Sequence, residues 1–217
     1  EVLSDLLPKM IAAIKFEKAM RWNVSGVSFS RPLRWIVAML GSNVILFDYA
    51  GVKSGNASRG LRPLGSPAIK IKSADTYLKT LRAAKIEIDS AKRGADVLKQ
   101  VKKLAAKVGG TITDEDVLAE VTNLVEHPTA LLGSFDESYL ELPRDVLVSV
   151  MKKHQRYFPL EKNGKLLPHF VVVRNGDNLH LNLVREGNEH VIRARFADAN
   201  FFVREDVKEK LEAYRAK

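Results

Sequence analysis

The segment RYFPLEKNGKLLPHFVVVRN, residues 156–175, sets two apolar runs on either side of Asn163-Gly164. Asn-Gly is the pair best suited to the positive φ angles of a two-residue hairpin turn. The segment is therefore predicted to run out through RYFPL as one strand, turn, and return antiparallel as LPHFVVV. Successive strand side chains point to opposite faces, so only one of Tyr157 and Phe158 is expected in the core. Upstream, Leu142-Pro143 introduces a helix carrying Val146, Leu147, Val150 and Met151. His154 extends that apolar track by a step of three from Met151, which predicts a partly buried, hydrogen-bonded histidine rather than a catalytic base. Lys152 and Arg156 fall one turn apart on another side of the same helix.

Outward from the hairpin, TALLGSF (129–135) reads as a buried strand. After Asn175 the segment LHLNL (179–183) alternates like a strand. Beyond it Ile192, Phe196, Ala199, Val203, Val207, Leu211 and Tyr214 form a helical apolar track. Toward the N-terminus, Thr113 is placed to cap a helix with acids in its first turn and an end before Pro128. Residues 74–84 and 89–108 read as helices. In the second, Val97, Val101, Leu104 and Val108 share one face, Lys99, Lys103 and Lys107 another, and Gly109-Gly110 ends it. Residues 43–49 (NVILFDY) and 68–73 (AIKIKS) suit strands. Between them GVKSGNASRGLRPLGSP (51–67), with four glycines and two prolines, reads as a loop carrying Lys53, Arg59 and Arg62. RPLRWIVAMLG (31–41) fits a short helix, MRWNVSGVSFS (20–30) a hairpin-like pair, and residues 3–14 an amphipathic helix interrupted by Pro8. Helices interrupt strands without a βαβ rhythm, so the expected class is α+β, a mixed sheet with packed helices. The expected division is an α+β domain over 1–186 and a long helix over 187–217.

The chain has 217 residues, enough for one large domain with appendages. The longest apolar run, Trp35 to Leu40, is far short of a membrane span. Cysteine is absent, which removes disulfides, thiol nucleophiles and the usual zinc sites. The chain opens at Glu1 without a signal-like region and stops in a charged helical segment without a capping glycine, so it reads as a piece of something longer. Net charge is +9 and the isoelectric point is about 9.7, a balance that favours a polyanionic partner over an acidic small substrate.

Familiar catalytic patterns are missing. GVKSGNASRG lacks the Gly-Lys-Ser/Thr ending that holds a nucleotide phosphate. The histidines at 127, 154, 169, 180 and 190 form no i, i+4 ligand pair, and no serine sits in a nucleophile elbow. Asp114/Asp116 and Asp136/Glu137 fall where helix starts and turns collect acids. Cations are the stronger signal: Lys53, Arg59 and Arg62 together, Lys99, Lys103 and Lys107 on a helix face, and Lys152 with Arg156. Like charges at i and i+4 repel by a few tenths of a kcal/mol, which a bound phosphate would relieve.

Six blocks, MRW (20–22), FSRPLRWIVAMLG (29–41), EVTNLVEHPTALLGSFDESYLELP (120–143), MKKHQRYFPL (151–160), GKLLPHFVVVRN (164–175) and REGNEHVIRARFADANFF (185–202), together resemble the β subunit of bacterial-type glycyl-tRNA synthetase, in its N-terminal region. Residues 69–113 depart most from these blocks. The resemblance implies an architecture similar to the editing-type module of the phenylalanyl-tRNA synthetase β subunit, followed by a His-Asp-type helical domain. It implies a loop leading into a helix at LHLNL. It also implies a fragment without an adenylation site or cofactor of its own, with ATP and Mg bound by the α subunit or a fused catalytic part. The implied partners are tRNA(Gly), the α subunit and the remaining domains of β, without a membrane, in the cytoplasm or, for a plant or alga, a plastid or other organelle. The role so implied is tRNA binding and positioning, with Lys53, Arg59, Arg62, Lys152 and Arg156 as candidate contacts. Its alternatives are a scaffold for assembly, or editing of mischarged tRNA through His154 or His169.

Overall fold

The computed structural model describes residues 1–112 and 116–208, and their contacts divide the chain into two compact units, 1–88 and 89–217. The expected Thr113 cap, and the end of the last helix with Leu211 and Tyr214, lie outside the described residues.

The first unit is built from short pieces. Helix α1 (Val2–Ala13) is followed by β1 (Met20–Arg21) and β2 (Ser28–Phe29), the expected hairpin-like pair. Residues 31–41 are not the expected helix. They form β3 (Ile36–Val37) and β4 (Met39–Leu40), and β4 pairs with β5 (Asn43–Val44) around Gly41 at φ +58. A two-residue hairpin turn with glycine first favours this path. The β-branched Ile36 and Val37 take a ladder instead, parallel to Ser54 and Gly55.

The strand expected over 43–49 is split into β5 and β6 (Asp48–Tyr49). The break is held by Ser54, whose buried hydroxyl donates to the Ile45 carbonyl at 2.7 Å and accepts from Phe47 N–H at 2.9 Å. Residues 51–67 are not a loop. They contain β7 (Val52–Gly55), β8 (Ala57–Arg59) and a 3-10 turn over Arg62–Leu64. The glycines that suggested irregularity serve the pairing itself. Ala50 and Gly51, both at positive φ, close the β6–β7 hairpin, and Gly60 lies so close to Pro67 that a Cβ would sit 2.8 Å from its ring. Then come β9 (Ala68–Lys70), a 3-10 turn capped by Ser73, and α2 (Tyr77–Ala83). The enclosed apolar side chains of this unit are few: Ala38, Ala50, Leu61, Ile71 and Leu81.

The second unit is three layers. Asp89 caps α3 (Ser90–Lys107) by accepting from Ala91 and Lys92 N–H. After α4 (Asp116–Leu124) comes β10 (Pro128–Ser134), then α5 (Arg144–Ser149), which continues as a π-helical stretch through Gln155. The expected hairpin forms: β11 (Phe158–Lys162) and β12 (Lys165–Asn175) flank Asn163 and Gly164, both at positive φ. Pro168 is accommodated where the β11–β12 register shifts. The antiparallel order is β10-β12-β11. The chain continues into α6 (Leu181–Asp206), which begins inside LHLNL, so the helix reading prevails there over alternation.

Both faces of this sheet are covered. Phe158, Leu160 and Val171 pack with Val97, Val101, Ala105, Val117 and Val121 of α3 and α4. Tyr157, Phe170 and Val172 pack with Leu147, Met151, Ile192 and Phe196 on the other side. Tyr157 and Phe158 are therefore both buried, a correction to the expectation of one. The alternation holds, but a sheet covered on both sides buries each face.

His154 is exposed, not partly buried. The π stretch widens the helix there, so a step of three from Met151 does not return to the apolar face. Tyr157 N–H bonds the Met151 carbonyl and Arg156 N–H that of Lys152, a Schellman-type closure one residue wider than usual, with Arg156 at φ +56.

Candidate nucleic-acid interface

In the first unit, strand pairing decides which cations meet. The β8–β9 ladder sets Ala57 opposite Lys70, Ser58 opposite Ile69, and Arg59 opposite Ala68. Ser58 is buried and Ile69 half-buried, while Ala57, Arg59, Ala68 and Lys70 form the solvent face. Arg59 and Lys70 are thus diagonal neighbours within reach of one anion. Lys72 follows two residues on and is exposed, and Arg62 stands exposed on the 3-10 turn joining the two strands. Among the described residues, Arg59, Arg62, Lys70 and Lys72 make no ion pair or hydrogen bond through their side chains. Lys53 belongs elsewhere. It lies on β7 directly opposite Asp48, an acid that lessens its value to a phosphate. Lys70 was within reach of sequence reasoning, because AIKIKS alternates basic and apolar residues. Its neighbourhood with Arg59 was not, because it depends on a pairing inside a stretch that reads as loop.

In the second unit, Lys152 and Arg156 do not form a free pair. The Arg156 guanidinium donates through Nε to Glu120 Oε2 at 3.0 Å and through Nη1 to the Lys153 carbonyl at 2.6 Å. Lys152 is half-buried. On α3 the expected Val97 and Val101 are enclosed, Leu104 and Val108 are half-buried and Ala105 is enclosed as well, while Lys99, Lys103 and Lys107 are exposed.

Several other polar groups are engaged in structure. Asp136 caps a 3-10 turn, and hydrogen bonds from Ser138 hold its carboxyl below the usual carboxylate range. Buried Glu161 accepts from Arg144, whose guanidinium is held above its usual pKa by that bond. The Tyr157 hydroxyl donates to Asn188 Oδ1 at 2.6 Å, and burial pushes its phenol up to about 12. His169 lies opposite Ser134 in the β10–β12 ladder with an enclosed Nδ1 that has no hydrogen-bond partner among the described residues. Ser134 bonds Glu189 through both its N–H and its hydroxyl. Among the described residues no group of three or more His, Asp and Glu could hold a metal, and no helix is long and apolar enough to cross a membrane.

The sequence as a whole matches the family model for the glycyl-tRNA synthetase beta subunit over residues 1–217. It is 48% identical over 215 residues to a glycine–tRNA ligase beta subunit of Clostridioides difficile, covering 99% of this chain and 31% of the relative. A beta subunit from Desulfitobacterium hafniense is 47% identical over 213 residues, covering 97% of this chain and 31% of the relative. A chloroplastic/mitochondrial glycine–tRNA ligase of Arabidopsis thaliana is 44% identical over 217 residues, 99% of this chain and 20% of that protein. The chain thus spans about a third or less of the length of these relatives.

Proposed function

The chain belongs to the glycyl-tRNA synthetase beta-subunit family, and from that membership we propose that it is a non-catalytic part of a glycine–tRNA ligase that helps bind and position tRNA(Gly) for glycylation at an α-subunit or fused catalytic site. In this reading ATP and Mg belong to that catalytic part, and this region supplies phosphate contacts, which fix register and orientation without reading bases. The observation that carries it is the exposed Arg59–Lys70 face, with Arg62 and Lys72 beside it and, among the described residues, no carboxylate paired to any of them. Arginine and lysine on one strand face suit a phosphodiester better than a small carboxylate substrate, since each holds one phosphate of a repeating chain. We read the α+β arrangement as a non-hydrolytic counterpart of the editing-type module of the phenylalanyl-tRNA synthetase β subunit.

The test is the complete ligase with Arg59→Glu and Lys70→Glu. Weakened tRNA binding by fluorescence anisotropy, with subunit assembly unchanged in size-exclusion chromatography, supports the reading; unchanged tRNA affinity refutes it.

One observation favours a second role, assembly. Val2, Leu6, Met10 and Ile14 are all exposed at spacings of four on and just beyond α1, a helix with no buried residue. Such an apolar stripe fits packing against the α subunit or another part of β. Loss of assembly in Leu6→Glu/Met10→Glu, with the Arg59/Lys70 variant assembled normally, would assign the two roles to separate surfaces.

A further inference from the structure

The β11–β12 hairpin brings together positive charges that, among the described residues, no carboxylate pairs with. Its turn is two residues long, so Lys162 and Lys165 are directly opposite each other. Two ammoniums so placed repel. Lys162 Nζ also lies 3.5 Å from where a side chain on Gly109 would stand, at the C-terminal end of α3 and two residues from Lys107. From there Lys103 and Lys99 continue the exposed stripe back along the helix. The carbonyls ending α3 account for one of these cations, because a helix C-terminus favours positive charge. They do not account for the others. Of the described carboxylates in this unit, Asp96 is bonded to Gln100, Glu120 to Arg156 and Glu161 to Arg144. Among the described residues, Lys99, Lys103, Lys107, Lys162 and Lys165 make no ion pair.

We propose that Lys107, Lys162 and Lys165, continued by Lys103, are a phosphate-binding surface for the RNA backbone. The proposal rests on the tRNA reading above and places the second unit's contact at the hairpin tip rather than at Lys152 and Arg156. RNA is the occupant the observations favour over an acidic protein surface. The cluster holds only lysines along a line, without the interleaved apolar anchors that protein interfaces place at their centre. Nonspecific backbone contact needs only a row of charges on a rigid support. Here the support is a buried sheet and an 18-residue helix.

The experiment is lysine acetylation followed by mass spectrometry on the complete ligase, with and without a tRNA(Gly) transcript, using exposed Lys79 on α2 as the internal reference. The expected result is a several-fold drop in acetylation of Lys107, Lys162 and Lys165 when tRNA is present, with Lys79 unchanged. If Lys70 is protected and the hairpin lysines are not, this proposal falls and the reading of Arg59 and Lys70 stands. Protection at none of these positions overturns both. Protection of the hairpin lysines in the assembled ligase without tRNA, abolished on separating the subunits, identifies an acidic protein partner and overturns the proposal. A second measurement uses Lys107→Gln/Lys162→Gln/Lys165→Gln. Each neutralised phosphate adds roughly 0.7 to the slope of log affinity against log salt, so the triple variant should show a slope smaller by about 2. An unchanged slope contradicts the proposal.

Discussion

The two units use the same amino-acid alphabet to different ends. In residues 89–208 one three-stranded sheet is covered on both faces, and Phe158, Phe170, Phe196, Leu147, Leu160 and Ile192 are completely enclosed. In residues 1–88 no strand exceeds four residues, the enclosed side chains are small or few, and α1 buries nothing. Burial at about 25 cal/mol per Å² is the main favourable term in folding, so the second unit is held chiefly by its core. The first depends more on turns and specific hydrogen bonds, while Trp35, Leu40, Leu46 and the α1 stripe remain exposed. A rigid platform and a lightly packed, apolar-faced module are the physical content of that difference.

The contrast should break most visibly at Phe170. Its ring stacks on Tyr157 at a centroid distance of 4.6 Å and closes over Gly133, where a Cβ would sit 2.5 Å from it. Phe170→Ala should lower the stability of the second unit by about 3 to 5 kcal/mol, read as lost amide protection in β10 and β12 by hydrogen exchange. A decrease of less than about 1 kcal/mol, well under the usual range for such a truncation, would show that this core is not what holds the sheet.

In the first unit the corresponding keystone is polar. Ser54→Ala removes the hydroxyl that bridges Ile45 and Phe47 and leaves an N–H and a carbonyl short of a partner. That should cost roughly 1 to 3 kcal/mol, read as faster exchange of the Phe47 amide. Unchanged exchange would mean that the β5–β6 break does not need this bridge.

Tyr157 sharpens the contrast through pH. Folding favours the protonated phenol, because burial raises its pKa from 10 to about 12. Its contribution is fully present below pH 10 and is lost as pH rises through about 12. Tyr157→Phe should cost about 1 kcal/mol near neutral pH through removal of the Asn188 bond. It should also flatten the decline in stability between pH 10 and about 12 measured by urea unfolding. A variant with the same alkaline slope as the parent would place the titration elsewhere.

Legibility in the sequence followed the locality of the signal. Asn163-Gly164 needs only its own φ angles, and α3 needs only its own periodicity, so both are readable. Residues 31–41 and 51–67 are not, because Ile36, Arg59 and their neighbours take their conformation from partners far along the chain. His154 defeats the reading for a local reason of another kind: a widened turn that leaves no mark in apolar spacing. For the candidate site, the lysine stripe is readable while Arg59–Lys70 requires the β8–β9 pairing. Lys162 and Lys165 are missing from the sequence-based candidates although their signal is present in Lys-Asn-Gly-Lys, since residues flanking a two-residue hairpin turn must face each other.

If tRNA meets this chain through its unpaired cations, as proposed, the contact is governed by salt. The most direct measurement is the salt dependence of tRNA(Gly) affinity for the complete ligase against the same ligase carrying Arg59→Gln and Lys70→Gln. Neutral replacements on an exposed strand face leave the fold intact, and each phosphate no longer neutralised takes roughly 0.7 to 0.9 from the slope. The slope of log affinity against log salt should fall by about 1.5, and the two lines should converge at high salt. Parallel, superimposed lines would contradict the proposal.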